Sequence, residues 1–282
     1  MRAALAALLA AALLPGLAAP AVASPATPGP DLVYLILPFD NMAEDPSLDW
    51  LSTGLALSLS EYMLGLGAAT MDDEERTVLL EGAGLPSGAP LTLASALELG
   101  RKMRERAGTA RPNRLVLGRF NVADGEISLQ VRSIDLVTDK AKPWFARQGR
   151  LKDLLEVQNN LFLSLAKEDG IHLPASRSAI LDRQGGDLPL LAFETYCRAM
   201  AATGSKKRLQ LLRRAVEQFP GYPKAAYQAA ALLVKAERWD EAAAMLDKAA
   251  ADPHPYESDF YLLTATVALQ RRDPAAAATA AR

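Results

Sequence analysis

The residues able to do chemistry are few. Two histidines and one cysteine make a thin inventory for metal or acid–base work, although carboxylates alone could still serve. His172 stands beside a Pro- and Gly-bearing stretch and His254 lies between Pro253 and Pro255, so spacing identifies no partner for either. Cys197 falls in a helical apolar stretch, reads as a small packed hydrophobe and leaves no internal disulfide to form. Gly65-Leu66-Gly67 resembles the start of a dinucleotide loop, but it follows a helical pattern instead of a strand and lacks the third glycine. Asp72, Asp73, Glu74 and Glu75 could meet a hard cation. A binding loop interleaves its ligands with turn residues, however, so a solvated charge run is the better reading. No nucleophile elbow, H-E-x-x-H helix or phosphate-binding G-x-x-x-x-G-K-[ST] loop occurs, and Gly204-Ser205-Lys206 is only a fragment of the last. The expectation is binding without turnover, with no metal and no cofactor.

A second constellation suits recognition. Tyr227 and Tyr261 are 34 residues apart, Phe193 extends the ladder, and Lys224 and Lys235 flank it. Aromatic stacking surface beside positive charge would hold an extended peptide or an acidic carboxyl terminus. The competing reading is that these rings pack between adjacent helices.

The chain must be large enough to position such a surface. Its 282 residues, 50% hydrophobic and 23% charged, can bury a sizeable core and allow roughly two domains. Lys plus Arg number 31 against 33 Asp plus Glu, a formal charge of -2, which argues against nucleic acid or an acidic membrane as the general partner. At the amino terminus, Arg2, the apolar run Ala3 to Leu14 and the small-x-small Ala21-Val22-Ala23 read as a signal peptide over residues 1–23, cleaved before Ser24. No cysteine near that site could accept a lipid. The expected location is the periplasm, the alternative an uncleaved anchor in the inner membrane, and no later stretch is long and apolar enough to span.

After a Pro/Ala/Ser leader at 24–30, residues 31–170 read as an α/β domain with a mixed sheet. Leu32 to Leu37 is a continuous apolar run of strand length. A helix follows, with Ser47 as N-cap and Leu51, Leu55, Leu59, Tyr62 and Leu66 forming one stripe. A second helix near Leu91 to Arg106 places Leu93, Ala96, Leu97 and Gly100 on one face. Arg114 to Asn121 and Glu126 to Leu136 predict a hairpin turning at Asp124-Gly125. The apolar parity shifts at Ile134 and Leu136, which predicts either a bulge near Ser133 or a change in which face is covered. Trp144 and Phe145 predict another strand, and Leu151 to Leu165 a last helix that stops near Gly170.

The segment LPFDNMAEDPSLDWLSTGL (Leu37 to Leu55) resembles the opening of the TolB-type amino-terminal α/β domain. Leu115-Val116-Leu117-Gly118, Ile134-Asp135-Leu136 with Thr138, and Asp153-Leu154-Leu155 with Gln158 resemble its closing strands and last helix. Asp139 stands where that family often has Gly, and Asp72 to Arg76 replaces a clearer second strand.

Residues 171–190, with Pro174, Gly185, Gly186 and Pro189, read as a linker. Beyond it a period appears: Leu212 and Leu246, Ala215 and Ala249, and Ala242 and Ala276 are each 34 residues apart. That spacing, with Ala230, Ala242, Leu246 and Ala249 at small-residue sites and Trp239 at the turn, resembles tetratricopeptide (TPR) repeats over 191–282, an all-α helical-hairpin solenoid. The third unit is incomplete at Arg282, which predicts that the natural protein continues. The combination implies an exported, non-enzymatic adaptor or scaffold with protein or peptide partners. A periplasmic small-ligand sensor using the α/β domain is the alternative, and an enzyme comes third.

Overall fold

The apolar run at Val33–Ile36 becomes β1 of a seven-stranded mixed sheet in the computed structural model. The structure describes residues 32–43, 45–71, 91–106, 111–171, 188–248 and 257–271, together with Arg76, Val78 and Gly82. The expected signal peptide, leader, acidic run 72–75, both histidines and the continuation past Arg282 lie outside the described residues.

The elements follow in chain order. β1 leads to β2 (Asp40–Asn41), a 3-10 turn at Pro46–Leu48, α1 (Trp50–Gly65), β3 (Ala69–Thr70) and α2 (Leu93–Arg106). Then come β4 (Arg114–Ala123), β5 (Glu126–Asp135), β6 (Lys140–Ala141), β7 (Phe145–Arg150) and α3 (Leu154–Glu168). The helical region follows as α4 (Leu190–Ala201), α5 (Ser205–Gln218), α6 (Pro223–Lys235), α7 (Trp239–Asp247) and α8 (Glu257–Gln270). Strand order is β3-β1-β4-β5-β6, with β2 also on β4 and β7 also on β5. β1 is parallel to β3 and β4, whereas β5 is antiparallel to β4, β6 and β7.

The start of α1 differs from expectation. Asp45, not Ser47, makes the capping contact, accepting from the Ser47 N–H at 2.8 Å over the 3-10 turn, and α1 begins after Asp49. An aspartate two residues ahead supplies that oxygen before any α-helical turn has formed. Gly67, at φ +85, supplies the left-handed residue that turns the chain from α1 into β3, so Gly65-Leu66-Gly67 is a helix exit. Asp139 occupies the same region, at φ 56, which is why glycine would suit that position. Its carboxylate accepts from Arg101 of α2 at 2.7 Å.

Each sheet face is covered differently. Val116, Phe120, Ile127, Leu129 and Val131 share one core with α1 and α3, and Ala192, Phe193 and Cys197 of α4 belong to that same core. The other face packs Leu35, Leu37, Leu115, Ile134 and Leu136 against Ala96, Leu99 and Met103 of α2. Leu99 and Met103 therefore replace Leu93, which is exposed, in the stripe expected for this helix.

No bulge forms at Ser133. β4 and β5 pair without interruption from Arg114↔Asp135 to Ala123↔Glu126, so the parity change is a change of covered face. Ser133 keeps its place in the α3-side row because its hydroxyl donates to buried Asp169 at 2.7 Å. Tyr34 donates to the other oxygen at 2.8 Å, and Lys142 lies 3.0 Å from Asp169. We expect Ser133→Ala to lower stability by about 1–2 kcal/mol, because a buried carboxylate oxygen loses one of its two donors and keeps only Lys142. Urea denaturation checks this, and an unchanged midpoint would remove the hydrogen bond from the account.

Candidate partner-binding face

The helical region is built by alanine. Ala225, Ala226, Ala229, Ala230 and Ala242 are fully buried, which lets α6 approach α5 and α7 closely, while Leu212, Leu233 and Leu246 fill the space between them. Short connections turn α5 back on α4, α6 on α5 and α7 on α6, giving the pairs α4/α5 and α6/α7, and α8 packs against α6 and α7. Polar clasps lie outside this core. Glu241 of α7 accepts from Arg213 of α5 at 2.5 Å and from Arg238 at 2.6 Å, and Asp240 accepts from Arg271 at 2.8 Å. The hydrogen bonds from Arg238 and then Arg213 hold the Glu241 carboxyl below its ordinary range.

α1 docks on the first helices of these pairs. Trp50 meets Phe193 of α4 edge-on at 6.1 Å, and a Cβ at Gly54 would lie 2.6 Å from the Cys197 sulfur. Glu61 of α1 forms an ion pair with Lys224 of α6, both side chains being largely buried. Trp50, Gly54 and Glu61 fall on one side of α1 at about 100° per residue, so one helix face makes all three contacts. Arg198 of α4 donates to the Ser47 carbonyl at 2.9 Å and extends the seam past the start of α1. Burial pushes the Lys224 ammonium down to about 7. Burial also raises the Cys197 thiol, which packs as the small hydrophobe its surroundings predict and is not poised to react.

The expected ladder is therefore divided. Phe193 and Lys224 face α1, inside the molecule, because the seam with the α/β module takes the part of the repeat face that the 34-residue register assigned to a partner. Tyr227 on α6 is half-buried beside the core, Lys235 is exposed at the end of α6, and Tyr261 on α8 is 45% exposed with its ring 6.2 Å from that of Phe260. Leu262 and Leu269 add exposed apolar surface to α8. Sequence reasoning missed Trp50, Gly54 and Glu61. Its available signal was α1 itself: small and apolar residues surround the whole helix, which therefore has neighbours on both sides.

Residues 209–266 match the family model of the tetratricopeptide repeat. The match runs from α5 into α8, and the repeat region continues the helical-hairpin pattern back to α4. No curated protein sequence matches the chain. Solved structures similar to it include the LpoB C-terminal domain from Salmonella enterica, with 12% identity and TM-score 0.31 over 43% of this chain and 83% of that one. Lipoprotein GNA1162 from Neisseria meningitidis has 14% identity and TM-score 0.37, over 51% and 100%. The PelC dodecamer from Paraburkholderia phytofirmans has 15% identity and TM-score 0.31, over 52% and 96%. Among the described residues, no helix is long and apolar enough to cross a membrane, and no three His, Cys, Asp or Glu side chains gather as metal ligands.

Proposed function

We propose that the chain is an exported, non-enzymatic adaptor of the cell envelope that holds a polypeptide partner on its repeats, with the α/β module as their base. Export draws its support from the Arg2 start, the apolar Ala3 to Leu14 run and Ala21-Val22-Ala23. The resemblance of Leu37 to Leu55 to the TolB-type opening supports an envelope setting. One observation carries the binding role: in the first repeat the ladder position, Phe193, already receives a helix, α1 with Trp50. The next two positions, Tyr227 and Tyr261, repeat that register along the same series of first helices. Together with Lys235 they offer a polypeptide stacking surface and a positive charge at the side.

The test is affinity capture from envelope fractions with the full chain and with Tyr227→Ala plus Tyr261→Ala. The double variant is expected to lose at least about ten-fold in affinity for its partner, the loss of two interface aromatics. Capture at wild-type strength would sink the proposal.

A further inference from the structure

We propose a second binding surface, on the α/β module, that docks an acidic polypeptide segment through Arg119, Arg132 and Trp144. Alternation along the β4–β5 hairpin creates it. Phe120, Leu129 and Val131 point into the core shared with α1 and α3, so Arg119, Gln130 and Arg132 project from the opposite face. α2 packs over Leu115, Ile134 and Leu136 on that face. Farther along it, Trp144 lies on the arginines just before β7, and the two guanidinium carbons are 4.6 and 4.5 Å from its ring centre.

The indole holds two like charges together, and little neutralises them. Among the described residues neither arginine makes an ion pair. Arg119 donates its Nε to Gln130 at 2.7 Å, which fixes its plane, while the Arg132 Nε is buried without an acceptor. Asp40 stands in register with Arg119 across β2 and β4 and feels its charge, but the two form no ion pair. Burial and then the nearby Arg119 charge make Arg132 less basic than usual. Stacked, oriented guanidiniums that lack carboxylates are complementary to them, each able to take one in a two-point contact.

Their placement favours a polypeptide over a small anion. Arg119 is paired with Gln130, so Arg132 is its diagonal neighbour on the adjacent strand, at about the 7–8 Å of such positions. Carboxylates two residues apart on an extended chain have nearly that separation, about 6.6–6.8 Å. Ser128 and Gln130 add hydrogen-bonding side chains along the same row. Since the chain's formal charge is -2, attraction of an acidic peptide would be local to this cluster.

Hexaglutamate is titrated into the full chain at low salt, with hexaglutamine as control, and binding is read by calorimetry and tryptophan fluorescence. Saturable binding of hexaglutamate alone is expected, weaker at higher salt. Arg119→Gln with Arg132→Gln should reduce affinity at least ten-fold, and Arg119→Lys with Arg132→Lys, which preserves charge without the planar fork, should fall between. Absence of saturable binding, equal binding of hexaglutamine, or an unaffected Gln pair with an unaffected Lys pair would overturn the proposal. Displacement by an equal concentration of inorganic phosphate would reassign the cluster to small anions. Binding that emerges only after Asp72 to Glu75 are changed to their amides would assign it to the chain's own acidic run.

Discussion

Lys224→Ala is expected to lower the stability of the folded chain by about 3–5 kcal/mol, the range for breaking a buried ion pair from one side. Lys224 and Glu61 are 14% and 10% exposed, on α6 and α1, so the truncation strands a carboxylate between the repeats and the α/β module. Its position determines more than its magnitude. The lost contact joins two regions, and in urea the repeat helices should separate from α1 before the sheet unfolds. Replacing both partners, Glu61→Leu with Lys224→Met, removes the two charges together and should recover most of the loss. Equilibrium denaturation followed by the Trp50 environment and by far-ultraviolet circular dichroism measures both effects. A midpoint shift worth less than about 1 kcal/mol for Lys224→Ala would make the pair an ordinary solvated contact.

Gly54→Leu should cost about 3 kcal/mol, at the upper end for overpacking a filled core. A Cβ at this position would lie 2.6 Å from the Cys197 Sγ and 3.1 Å from its Cβ, and leucine adds three carbons beyond that. Ordinarily alanine would improve a helix interior over glycine by about 1 kcal/mol. Here Gly54→Ala should destabilise instead, and Cys197→Ala should recover most of that loss by removing the sulfur, leaving only its Cβ at 3.1 Å. A double-mutant cycle on these two sites gives the coupling directly. Strict additivity would mean that α1 and α4 are not in close contact.

The same two sites show how far the sequence was legible. Leu51, Leu55, Leu59 and Tyr62 marked the sheet-facing side of α1, and Asp124-Gly125 marked the hairpin, because both signals are local and periodic. The other side of α1 was less specific: small and apolar residues all round the helix announced a second neighbour without saying which, and Glu61, a type that usually faces water, is made interior by Lys224 of a helix more than a hundred residues later. Ser133 shows a related limit: the parity shift at Ile134 and Leu136 left a bulge and a change of covered face both open, and the acceptor that keeps Ser133 in its row, Asp169, lies 36 residues on. For the candidate site, the 34-residue register identified the positions that form one face. It could not distinguish those covered by the chain itself from those left outside, because cover is a tertiary property. Trp144 was legible as an aromatic near a strand, but its place over Arg119 and Arg132 depends on three strands in register.

Cys197 is the only thiol in the chain, and it sits where Gly54 leaves just enough room for sulfur. Cys197 is fully buried against α1, so tilting the repeats away from α1 would open a path to a thiol-reactive probe. The seam therefore carries its own gauge: the rate at which Cys197 is modified counts how often the two halves part, and a partner that levers them open would announce itself there.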